Sequence, residues 1–179
     1  MPLSIAPASE PFSPAVIAIC QRVVPGPLPV MVPVQLREHS LPDCCHTNAP
    51  RMARDHGGSA QRGWSVWTID RLAVWLELHS VWRTAEKQLL DTTPPGPADV
   101  QRIAFLPDFS MEHTDPTDPS HHHPWDEDPL CLEFVDLMRS VDRLYFHPDD
   151  PFRRKHQVRK DQLAPLLARM DQISHLRQN

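Results

Sequence analysis

Three residue types that cooperate in nucleophilic catalysis follow one another through the middle of this chain: the adjacent pair Cys44 and Cys45, then His79, then Asp91. Sulfur attacks as the thiolate, and a helix N-terminus helps to form one by lowering the thiol pKa. An imidazole must take or share the thiol proton. A carboxylate must then hold that imidazole in the right tautomer and stabilise its charged form. The chemistry such a set performs is acyl transfer or hydrolysis of an amide, isopeptide or thioester. It also needs donors for an oxyanion. The nucleophile's own backbone amide is one, and chain order alone suggests the side-chain amide of Gln35 as another.

The elements around these residues can bring them together. Ser40 to Asn48 reads as a turn leading into a helix of about 50–56, ended by Gly57-Gly58 in the manner of a C-cap. From Gly63 the pattern changes to strands. Gly63 to Ile69 alternates β-formers, Leu72 to Trp82 is a long apolar run with Glu77 and His79 on one face, and Gln88 to Thr92 and Ile103 to Leu106 supply two more strands. Short connections between them predict an antiparallel sheet. Adjacent antiparallel strands hold cross-strand side chains about 5 Å apart, which lets His79 meet Asp91. Upstream, Val30 to Leu36 reads as an edge strand containing Pro33, and Pro14 to Val24 fits either a strand or a short helix.

Six stretches of this region carry a more specific resemblance: Cys45-His46-Thr47-Asn48, Gly57-Gly58, Gly63-Trp64-Ser65-Val66-Trp67, Leu78-His79-Ser80-Val81-Trp82, Leu90-Asp91-Thr92-Thr93-Pro94 and Phe105-Leu106-Pro107-Asp108. In order, they resemble the CHxN, GG, GWxIW, FHxVW, LxDxTP and FLPD pattern of an uncharacterised bacterial and phage family. Some members of that family are labelled zinc-chelation or SEC-C proteins. The succession of Cys, His and Asp is similar to that of papain-like and transglutaminase-like enzymes. The likeness covers about residues 30–108, somewhat under half the chain.

The resemblance implies a papain-like α+β core with Cys45 as nucleophile, because Cys45 begins the CHxN stretch, and leaves Cys44 to packing. His79 is then the general base and Asp91 its orienter, with Asn48 and Trp64 supporting the site. Pro50 departs from the pattern: either Asn48 caps a helix that has Pro50 near its first position, or the Cys-bearing helix is distorted.

Two other chemistries compete. Cys45, His46 and His79 are ligand types that suit zinc, but adjacent ligands rarely converge and a fourth is not evident, so no metal and no cofactor is expected. The rival to catalysis is a non-catalytic interaction domain using the tryptophan-rich face (Trp64, Trp67, Trp75, Trp82) and the C-terminal helices, which keeps a protein partner open.

Composition bounds the rest. The 179 residues include 21 prolines against 5 glycines, so much of the chain is extended or turn-like. Residues 1–29 form a proline-punctuated entry. A net charge of -5 gives no general reason to bind nucleic acid or an anionic membrane. Four cysteines without a CxxC pair, and a start without a charged leader, read as an intracellular, cytoplasmic and reduced protein. Residues 107–129, with His113 and the His121-His122-His123 tract, read as a solvated loop. Leu130 to Tyr145 and Lys160 to Arg177 have helical apolar spacing, and the basic cluster Arg153-Arg154-Lys155 between them, with Arg159 and Lys160, reads as a solvated linker.

Overall fold

The computed structural model describes residues 4–96, 99–112, 120–147, 150–154 and 158–178. In chain order the elements are β1 (Ile5–Pro7), α1 (Pro14–Val23), β2 (Val30–Pro33), α2 (Cys45–His56), β3 (Ser59–Ile69), β4 (Ala73–Arg83), β5 (Leu89–Leu90) and β6 (Arg102–Pro107). A 3-10 turn (Phe109–Glu112), β7 (Ser120–Pro124), α3 (Pro129–Tyr145), β8 (Phe146–His147), β9 (Asp150–Arg154) and α4 (Lys160–Gln178) follow. The protein is α+β: among the described residues the main antiparallel sheet has seven strands, against the three to five expected.

The chain divides into two compact units, and the long β3–β4 hairpin runs through both. One unit comprises residues 7–66 and 77–116. Its strands run in the order β2-β6-β3-β4-β5. The path then closes on itself. Just past β2 and β5, Val34 and Asp91 form a parallel bridge, with Asp91 N–H donating to the Pro33 carbonyl (3.0 Å) and Gln35 N–H to the Asp91 carbonyl (2.7 Å). This single bridge ties the chain just past β5 to the end of β2. It also makes Pro33 tolerable, since this residue contributes only its carbonyl on that side.

Two glycines allow close approaches in this unit. A Cβ on Gly63 would lie 2.2 Å from the Leu106 carbonyl oxygen where β3 pairs with β6, and one on Gly58 would lie 2.1 Å from the Arg83 carbonyl oxygen. Gly58 also has φ +85, a conformation other residues rarely adopt. Ala49 and Met52 of α2 pack with Trp82 of β4 and Leu90 of β5. The segment left open as strand or helix is the helix α1. Ser13 Oγ accepts from Val16 N–H and Pro14 occupies the start of the helix, so the cap decides what periodicity did not.

The other unit comprises residues 1–6, 67–76 and 117–179, of which 1–3, 117–119, 148–149, 155–157 and 179 lie outside the described residues. The hairpin turns through Asp70 and Arg71, both at positive φ as a two-residue primed turn requires, and the Asp70 carboxylate accepts from Ser4 N–H and Ser174 Oγ. Phe134, Val135 and Met138 of α3 and Met170 and Ile173 of α4 bury together with Ile69, Leu72 and Ala73.

Two expectations are corrected in this unit. Residues 120–124 are not solvated loop but strand β7, and His122 is buried, its Nε2 2.5 Å from Asp142 Oδ2, which also accepts from Ser120 Oγ. The carboxylate that makes this burial tolerable comes from α3, twenty residues away, so local polarity misled. The basic segment likewise is not simply a linker: Arg153 and Arg154 belong to β9, paired antiparallel with β8. His113 and Lys155 lie outside the described residues. Among the described residues no helix is long and apolar enough to cross a membrane.

Candidate active site

Every residue of the expected triad lies in the first unit. Helix α2 begins at Cys45, five residues earlier than expected, with Cys44 as its N-cap: Thr47 N–H and Asn48 N–H both donate to the Cys44 carbonyl, at 2.9 and 2.8 Å. Pro50 sits inside the helix. It removes one amide, which an isolated helix would resist; here Asn48, Ala49 and Met52 are buried and fix the turn from outside. Cys45 is thus the first helical residue, where the backbone amides lack intrahelical acceptors and the dipole favours negative charge.

His79 reaches the site from β4 and Asp91 from the end of β5. Trp82 pairs with Leu90, and continuing that register by one residue sets Asp91 opposite Val81. His79 is two residues from Val81, hence on the same face and diagonal to Asp91. The side chains meet, with His79 Nε2 3.1 Å from Asp91 Oδ1. The ring N–H is not well aligned on that oxygen, so the contact is an ion pair more than a directed hydrogen bond. The same Oδ1 accepts from Thr93 N–H at 2.9 Å. Asp91 is therefore an Asx-turn residue and the histidine's carboxylate at once, and the turn fixes the oxygen that faces the ring.

Electrostatics favour a charged pair. Burial pushes the Cys45 thiol up, but the neighbouring His46 and His79 rings more than reverse this and lower it from 9.0 to about 6. Burial alone would strip His79 of its proton; the Asp91 carboxylate and then the Cys45 sulfur raise its pKa instead. Cys45 is 8% exposed and the His79 side chain 12%, so both charges are weakly screened. By contrast, burial raises Cys20 and Cys131 to about 11.

Asn48 braces this arrangement without touching it chemically. Fully buried, it donates through Nδ2 to the Leu41 carbonyl (2.7 Å) and to Thr93 Oγ1 (3.1 Å), while its Oδ1 accepts from Leu41 N–H (3.2 Å). One side chain thus ties the turn before α2, the helix itself and the Asx turn of Asp91. Trp64 is 3% exposed and its Nε1 donates to Asp108 Oδ2 at 3.4 Å, the surroundings of a core residue. Gln35 is joined to Asp91 through its backbone; its side chain is exposed and its Oε1 accepts from Arg37 at 3.3 Å.

Sequence reasoning overlooked His46 and Ser80 as a pair. His46 Nδ1 lies 2.7 Å from Ser80 Oγ, so consecutive residues of α2, Cys45 and His46, meet consecutive residues of β4, His79 and Ser80. The signal was present in the second letter of CHxN and in the residue after His79. Among the described residues no group of three or more His, Cys, Asp or Glu side chains is placed to hold a metal ion. Comparison with protein-family models, with curated proteins and with solved structures gave no match.

Proposed function

We infer that this protein is a papain-like cysteine hydrolase or acyltransferase acting on an amide, isopeptide or thioester through Cys45, His79 and Asp91. The observation that carries the reading is the juxtaposition of Cys45, at the first position of α2 and with its thiol lowered by His46 and His79, with a His79 ring whose Nε2 lies 3.1 Å from the buried Asp91 carboxylate. The thiolate attacks the acyl carbon, the imidazolium gives its proton to the leaving group, and Asp91 keeps the ring oriented and charged. The Cys45 N–H, at the open end of the helix, is the natural oxyanion donor, with the Gln35 amide as the second candidate.

The test is two-fold. At pH 6, iodoacetamide modifies Cys45 ahead of the other three cysteines, as read by peptide mapping. A panel of thioester, amide and isopeptide probes then yields a turnover that Cys45→Ser abolishes. Slow, unselective labelling with no probe turned over would sink the reading.

A second reading has its own support. Cys45 is 8% exposed, and Leu28, Val30, Leu36 and Leu41, along the segment leading to α2, are exposed apolar side chains. That combination suits a non-catalytic domain that docks a protein partner beside a merely structural cysteine. Low-pH labelling separates the two, since only the catalytic reading requires a reactive thiolate.

A further inference from the structure

Cys45 has two imidazole neighbours, and the triad employs only one. His46 is the second residue of α2, next to Cys45, and its ring helps to lower the Cys45 thiol. Its Nδ1 is held 2.7 Å from the hydroxyl of Ser80, a residue 1% exposed on β4. The two rings meet the sulfur from different environments. His79 is closed in, with its far nitrogen against Asp91; His46 is exposed to water.

Acyl transfer through cysteine makes two separate proton demands. A leaving group must gain a proton when the thioester forms, and an incoming nucleophile must lose one when the thioester breaks. A closed imidazole held charged by a carboxylate serves the first step, where it gives its proton to the leaving group. The second step brings water or an acceptor amine from solvent, the side on which His46 stands with its orientation set by Ser80.

We propose that His46 is a second catalytic imidazole of this site, which takes the proton of the nucleophile attacking the Cys45 acyl-enzyme, with Ser80 as its positioning residue. The proposal rests on the Cys45–His79–Asp91 reading. In the first half-reaction the thiolate bonds to the acyl carbon, and the leaving group departs with its electron pair and the His79 proton. In the second, the water oxygen bonds to that carbon and its proton moves to the His46 ring. The carbon–sulfur bond breaks and returns its electron pair to Cys45 Sγ. The proton on His46, passed through solvent, replaces the one His79 gave up. The sum is hydrolysis of the acyl compound.

The probe is p-nitrophenyl acetate, whose nitrophenolate leaves without needing a proton. Wild type gives acetyl-Cys45, identified by peptide mapping, and turns over. His46→Ala keeps the burst of nitrophenolate, but its steady-state rate falls about 100-fold, the usual size of a lost general base. Acetyl-enzyme then accumulates in the intact mass. Imidazole in the buffer restores turnover, because the vacated position is open to solvent. His46→Gln shows the same block, and Ser80→Ala lowers the steady-state rate while keeping the burst. His79→Ala slows the burst itself, without rescue by imidazole. The proposal is overturned if His46→Ala deacylates at the wild-type rate, or if burst and turnover fall together with no imidazole rescue, the mark of a purely structural residue. A wild type that is never acetylated at Cys45 removes the underlying triad, and this proposal with it.

Discussion

Removing the His79 ring should change the pH profile of Cys45 far more than its speed at neutral pH. The thiol is lowered from 9.0 to about 6. Three units correspond to about 4 kcal/mol of preference for the thiolate, supplied by the two neighbouring rings against the cost of burial. In His79→Ala the burial that raises the thiol persists while one ring is gone, so the value returns to the ordinary range of about 8.5 to 9 or above. At pH 7 the thiolate fraction then falls from about 90% to about 1%. A more basic thiolate is also the better nucleophile, by about 20-fold over three units at a Brønsted slope near 0.45.

The two effects oppose each other, and pH decides which wins. Wild type should react only about 4-fold faster at pH 7, but about 40-fold faster at pH 5, where the fractions differ by nearly the full thousand. Above a crossing near about pH 8 the order reverses, and by about pH 10 the variant leads by about 20-fold. The assay is the second-order rate of iodoacetamide alkylation from pH 5 to 10, in a Cys44→Ser background. Cys20 and Cys131, pushed up to about 11, stay silent over most of that range. Profiles that run parallel, with one midpoint for both proteins, would refute the thiolate–imidazolium pair whatever their absolute rates.

Three further outcomes follow from the geometry. Asp91→Asn keeps a side-chain oxygen for Thr93 N–H but removes the charge facing His79, so turnover on any probe should fall by about 10³ to 10⁴ while the urea midpoint moves little; a comparable loss of stability would mean that Asp91 acts only as a turn residue. Asn48→Ala leaves both polar groups of Leu41 and the Thr93 hydroxyl without their buried partner, and should cost about 2 to 4 kcal/mol in urea unfolding; a loss below about 0.5 kcal/mol would mean the clamp carries no load. Gly58→Ala places a methyl group 2.1 Å from the Arg83 carbonyl oxygen at positive φ, and should lower stability by about 1 to 3 kcal/mol, measured the same way; an unchanged midpoint would show that the α2–β3 link can shift.

Much of this protein was legible in local pattern. The alternation of β3, the apolar run of β4 and the helical spacing of α3 and α4 follow from side-chain periodicity, which any core must satisfy. The types and order of Cys45, His79 and Asp91 were visible too, because the side-chain types of the proposed nucleophile, base and carboxylate can be named before geometry enters. What the sequence could not supply was every feature that depends on a distant partner. The start of α2 at Cys45, despite Pro50, depends on burial of Asn48, Ala49 and Met52 by other elements. His122 reads as polar loop until Asp142 of α3 is set beside it. The meeting of Cys45 with His79 and of His46 with Ser80 requires one helix end to lie against one strand register, and closure through Val34 and Asp91 holds Asp91 in place. Periodicity determines which face of an element is buried; only tertiary packing determines what that face meets, and reactivity depends on the meeting.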